Sequence, residues 1–86
     1  MEDNKVIVYS KNNCVQCKFA KKMLDNNDVE YTEINIDENP DVVDFIKQKY
    51  QAQAMPLVVM NGEVYARGNN PDGIMKLVEV VESVAV

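Results

Sequence analysis

The sequence predicts an α/β domain with the element order β-α-β-α-β-β-α, a four-stranded mixed sheet flanked by three helices. Three observations carry that prediction. The apolar run Val6-Ile7-Val8-Tyr9, a segment of helical spacing and a second strand-like run follow one another within about 30 residues, the pattern of a βαβ unit. Asn61-Gly62 lies between two strand-like runs, a strong hairpin signal. Asn39-Pro40-Asp41 and Asn70-Pro71-Asp72 each open a helical pattern with a capping amide, a proline at the first position and an acid in the first turn.

Taken in order, Lys5 to Tyr9 reads as a strand whose unbroken apolar centre needs cover on both faces, so it belongs in the middle of the sheet. The polar stretch Ser10-Lys11-Asn12-Asn13 delivers Cys14 to the start of a helix running from Val15 to about Asn26. Phe19, Ala20, Met23 and Leu24 form its apolar face, with Met23 as core, while Lys18, Lys21, Lys22 and Asp25 turn outward. Val29 to Ile36 reads as a second strand, parallel to the first and joined to it by a right-handed crossover. The second helix buries Val42, Val43, Ile46 and Tyr50. Gln51 to Ala54 is a neutral link, and Met55 to Met60 is an apolar strand led by Pro56. Glu63 to Ala66 returns antiparallel, and the last helix buries Ile74, Leu77, Val78 and Val81. Tyr9 and Tyr65 read as packing residues.

Composition narrows the function. Eighty-six residues, 47% of them apolar, suit one small domain over residues 1–86. No apolar run approaches the roughly 20 residues that span a bilayer. The polar, acidic start Met1-Glu2-Asp3-Asn4-Lys5 lacks the basic, then apolar, character of a signal peptide, which predicts a cytoplasmic protein. A net charge of −5 argues against nucleic acid. The cations nevertheless cluster: Lys11, Lys18, Lys21 and Lys22 flank the cysteines, while most acids lie elsewhere.

The two cysteines, Cys14 and Cys17, are the only ones in the chain. Spaced one helical turn apart at a helix start, they suit reversible disulfide chemistry. Unpaired backbone N–H groups and the positive end of the dipole favour a thiolate on Cys14, the nucleophile. Cys17, one turn inward, becomes the resolving thiol. A structural zinc needs four ligands, and the chain offers neither a third cysteine nor any histidine. A stapling role is weak, because so small a loop constrains little of the unfolded chain.

Tyr9 to Cys17, with Cys14-Val15-Gln16-Cys17 at its centre, resembles the active-site segment of glutaredoxin-like proteins of the thioredoxin superfamily, and the cysteine box in particular resembles the NrdH-redoxins. The likeness extends through Ile34-Asn35-Ile36-Asp37, Met55-Pro56-Leu57-Val58-Val59 and Gly68 to Pro71-Asp72. It implies a thioredoxin-like, glutaredoxin-type fold in which Pro56 is a cis-proline beside the sulfurs, the Met55 backbone pairs with an extended substrate segment, and substrate passes close to Gly68. Substrate contact then falls to Lys11, Val15, Gln16, Met55, Pro56, Gly68 and Asn69. The implied activity is that of a dithiol redoxin and protein disulfide reductase, an electron donor to a class Ib ribonucleotide reductase. Recycling falls to a thioredoxin-reductase-type flavoenzyme, with NADPH held by that enzyme. The redoxin itself is a monomer that binds no cofactor and no metal. One departure stands out. NrdH-redoxins typically carry Trp-Ser-Gly-Phe-Arg-Pro-Asp where this chain reads Ala66-Arg67-Gly68-Asn69-Asn70-Pro71-Asp72. The alternatives are a glutathione-dependent glutaredoxin, in which Lys11 meets a glutathione carboxylate, and a dimeric carrier of an iron–sulfur cluster.

Overall fold

The computed structural model describes residues 5–84, so the acidic start at positions 1–4 lies outside it. Seven elements appear in the predicted order: β1 (Val6–Ser10), α1 (Val15–Asn26), β2 (Thr32–Asn35), α2 (Asp41–Tyr50), β3 (Leu57–Met60), β4 (Glu63–Arg67) and α3 (Pro71–Val84). The strands form one sheet in the order β2-β1-β3-β4. β1 runs parallel to β2, with Tyr9 opposite Ile34, and antiparallel to β3, with Val8 opposite Val58. The strand read as central therefore has a neighbour on either side. β3 and β4 are joined through Asn61 (φ 53) and Gly62 (φ 84), the two left-handed positions that the Asn-Gly pair supplies. A bulge in β4 makes Tyr65 the extra residue, since Val58 faces Ala66 and Val59 faces Val64.

Alternation along the strands sorts the core into two layers. Val6 and Val8 of β1, Val58 and Met60 of β3 and Ala66 of β4 pack with Ala20 and Leu24 of α1 and with Ile74, Leu77 and Val78 of α3. On the opposite face, Tyr9, Leu57 and Val59 pack with Ile46 and Tyr50 of α2, together with Ala52, Met55 and both cysteines. α3 lies close enough to β4 that a Cβ at Gly73 would collide with the Tyr65 carbonyl.

Several expectations change in detail. β2 begins at Thr32 rather than Val29, because the Val29 N–H donates to the Leu24 carbonyl at 2.9 Å and closes α1 instead. Asn39 does not cap α2; its amide donates to the Asn35 carbonyl at 3.0 Å, and Pro40 occupies the cap position. Asn70 does cap α3, its Oδ1 accepting from the Gly73 N–H at 3.1 Å. Phe19 is 63% exposed rather than core. Cys17, Ala20 and Leu24 form the buried line of α1, and Phe19 falls beside that line. Among the described residues no helix is long and apolar enough to cross a membrane.

Candidate active site

The parallel β1–β2 pair ends in a polar clamp on the segment that leads to Cys14. The Asn12 N–H donates to Asp37 Oδ2 at 2.8 Å, the Asn35 amide donates to Asn12 Oδ1 at 3.0 Å, and the Asp37 N–H donates to Asn35 Oδ1 at 2.8 Å. Asn13 then adopts a left-handed conformation (φ 55), which asparagine tolerates better than most residues, and the chain turns into α1.

Cys14 is the N-cap of that helix, in extended geometry. Its Sγ accepts from the Cys17 N–H at 3.1 Å, where most helices place a hydroxyl or carboxylate. Cys14 and Cys17 form a disulfide, with Cα atoms 5.2 Å apart. Bonded to its partner and covered by the Met55 segment, Cys14 keeps 8% of its surface, against 2% for Cys17. What access remains is through Cys14. The Met55 carbonyl lies 4.0 Å from Cys14 Sγ, and the Met55–Pro56 peptide is cis. Pro56 is buried, and its carbonyl accepts from the Gly68 N–H at 2.8 Å. Gly68 needs its freedom: φ is +76, and a Cβ there would press to 3.3 Å from the Ala54 Cβ.

Two hollows flank the disulfide. Lys11, Val15, Gln16 and Met55 line one, together with Asn13, Gln53 and Ala54. Gln16, Pro56, Gly68 and Asn69 line the other, together with Phe19 and Met23. Every residue to which the sequence reading gave substrate contact thus lines one or the other of these hollows, and Gln16 borders both. Sequence reasoning passed over Gln53 and Ala54, which read as a neutral link, and assigned Phe19 to the core. The signal for Phe19 was its position one turn beyond the apolar Val15, on a line beside the one that Cys17 begins.

The cations near the site divide. Lys18 and Lys22 are exposed, as expected of an outer face. Lys21 is instead half-buried, its Nζ 2.8 Å from Glu33 Oε2, which also accepts from the buried Ser10 hydroxyl at 2.7 Å. The Lys21 ammonium first, and the Ser10 hydroxyl second, hold the Glu33 carboxyl below the usual carboxylate range. Burial, reinforced by nearby Tyr50, pushes the Tyr9 phenol up. Arg67 turns away from the second hollow, its Nε donating to the Tyr50 carbonyl at 3.0 Å.

The profile of the glutaredoxin family matches residues 6–65. Among curated proteins, the glutaredoxin-like protein NrdH of Lactococcus lactis subsp. cremoris is 39% identical over 72 residues, spanning 84% of this chain and 97% of the relative. The glutaredoxin-like protein NrdH of Salmonella typhimurium is 35% identical over 72 residues, spanning 84% of this chain and 86% of the relative. Among solved structures, the glutaredoxin-like protein NrdH-redoxin from Escherichia coli superposes with a TM-score of 0.76 at 26% identity, covering 85% of this chain and 93% of that one. That protein is described as having a thioredoxin-like activity profile.

Proposed function

The chain belongs to the glutaredoxin family, in its NrdH-redoxin branch, and from that premise we propose a cytoplasmic, monomeric single-domain redoxin that carries electrons from a thioredoxin-reductase-type flavoenzyme to a class Ib ribonucleotide reductase. The family and the Cys14–Cys17 disulfide make it a thiol–disulfide oxidoreductase. The partners are the finer reading. The NrdH relatives support the choice of partners, and the observation that carries the disulfide chemistry is the placement of Cys14 at the cap of α1 with the Met55–Pro56 segment across from it.

In the reduced protein the Cys17 N–H and the start of α1 favour a thiolate on Cys14. That thiolate attacks one sulfur of the target disulfide, forming a mixed disulfide and expelling the other target sulfur as a thiolate. The Cys17 thiolate then attacks Cys14 Sγ, restoring the intramolecular bond and releasing the second target thiolate. Two electrons pass to the target. The carrier of that pair is the reduced Cys14/Cys17 dithiol, which closes to the disulfide as the electrons leave, so the cycle calls for no bound cofactor or metal; NADPH acts through the flavoenzyme. The target's extended segment lies along the Met55 backbone and Pro56, bordered by Lys11, Val15 and Gln16 on one flank and by Gly68 and Asn69 on the other.

A glutathione-dependent cycle is the second reading, favoured by Lys11 and Gln53 in the hollow beside Met55. Against it, Asn69 and Asn70 follow Gly68 where an amine-binding carboxylate would be needed. The oxidised protein is expected to be reduced faster by thioredoxin reductase with NADPH than by glutathione at cellular concentration. Reduction by glutathione alone would overturn the leading reading. Cys14→Ser is expected to abolish disulfide reduction, and Cys17→Ser to accumulate mixed disulfides with the target, seen as a mass adduct on Cys14; full turnover by Cys14→Ser would refute the mechanism.

A further inference from the structure

Four of the nine cationic residues lie between Lys11 and Lys22, and no acid appears from Lys11 through Leu24 in a chain of net charge −5. Lys21 is committed to Glu33, whereas Lys18 and Lys22 are exposed and have no ion pair among the described residues. One helical turn apart, they share a face of α1. Beside them runs an apolar line, Val15 and Phe19, 65% and 63% exposed. Phe19 forms a wall of the hollow that reaches Pro56 and Gly68. At about 240 Å³ that hollow falls below the roughly 300–1,000 Å³ of pockets that enclose whole small molecules, and suits a side chain of a larger partner.

We propose that this face of α1 selects the target: it takes a disulfide-bearing polypeptide segment that places an apolar side chain against Phe19 and an acidic residue against Lys18 and Lys22. The inference rests on the redoxin reading and adds the chemistry of what that site accepts. Helix geometry sets the spacing. Lys22 lies eight residues beyond Cys14, about 12 Å along the axis at 1.5 Å per residue, a span that about four extended residues of the partner cover. The acid therefore falls within about four residues of the attacked cysteine. An acid close to the attacked cysteine meets Lys18, one turn from Cys14, before it can reach Lys22, two turns away, so Lys18 has the larger influence.

The test compares two oxidised peptides of one sequence, each with an intramolecular disulfide and a leucine, carrying either two aspartates or two lysines within four residues of the attacked cysteine. The pre-reduced full chain is mixed with each, and the readout is the ratio of their second-order reduction rates, which cancels any general change in Cys14 reactivity. The aspartate peptide is expected to react about tenfold faster at low ionic strength, with the ratio falling toward one as salt rises. Lys18→Glu with Lys22→Glu is expected to invert the ratio, and Lys18→Glu alone to move it further than Lys22→Glu alone. Phe19→Ser is expected to remove the advantage of the leucine peptide over a serine-substituted version. Equal rates for the two charged peptides, or a ratio untouched by the double reversal, would overturn the inference. Bis(2-hydroxyethyl) disulfide, small and neutral, separates the two levels: if the wild-type protein cannot reduce it, the redoxin reading fails; if it does so without any charge preference among peptides, only the present inference fails.

Discussion

On the α1–α3 side of the sheet the buried groups are almost wholly aliphatic, with Leu24, Leu77 and Val8 shielded completely. On the α2 side the core admits Tyr9, Tyr50, Met55 and two sulfurs, and it reaches the surface at Cys14. The first layer needs only volume and shape. The second must hold polarisable and hydrogen-bonding groups at fixed positions, and its outer edge is therefore held by hydrogen bonds to backbone groups: the clamp on the Asn12 N–H, the Cys17 N–H on the Cys14 cap, the Pro56–Gly68 bond. The difference teaches that stability and chemistry are served by opposite faces of one sheet, with α1 contributing Ala20 and Leu24 to the first and Cys17 to the second.

Three measurements sharpen or break that division. The largest effect is expected from Leu77→Ala, which removes a fully buried side chain and lowers unfolding free energy by about 2–5 kcal/mol. The disulfide-reduction rate per folded molecule is expected to hold. Denaturant titration beside a kinetic assay reads both, and a parallel fall in rate would erase the distinction between the layers. Asp37→Ala comes next, with the opposite signature. Losing the carboxylate that accepts the Asn12 N–H is expected to destabilise by about 1 kcal/mol, yet to slow protein-disulfide reduction severalfold, because the segment before Cys14 loses its anchor. A change in stability with no change in rate would make the clamp part of the scaffold only. The smallest effect is the pH dependence of the Ser10–Glu33–Lys21 link. Because Glu33 titrates below its unfolded value, its contribution is present above the ordinary carboxylate range and is lost as pH falls through the folded pKa. With a Glu33 side chain 37% exposed, the loss is under about 1 kcal/mol. Comparing wild type with Glu33→Gln by thermal melts from about pH 6 to about pH 3 isolates it; equal slopes would show that the link contributes nothing.

What the sequence disclosed was what neighbouring residues decide. The order of elements, the Asn61-Gly62 hairpin and the cysteine spacing follow from local periodicity and turn chemistry, and the structure reproduces them. Boundaries depended on competition for single donors. Val29 looked like a strand residue, but its N–H had a nearer acceptor in Leu24; Asn39 looked like a cap, but its amide found Asn35. Phe19 was misplaced because its spacing fits two adjacent helical faces, and only the position of α3 and Pro56 leaves it facing outward into a hollow. The Asn12–Asn35–Asp37 clamp was not legible, since it joins positions 23 and 25 residues apart through loop geometry.

The cap of α1 carries one more consequence. Because Cys14 Sγ is the acceptor for the Cys17 amide, that amide senses the charge on the sulfur directly. Its proton resonance in a nitrogen-correlated NMR spectrum is a built-in gauge of thiol, thiolate and disulfide, one that can be followed through a titration without any attached label.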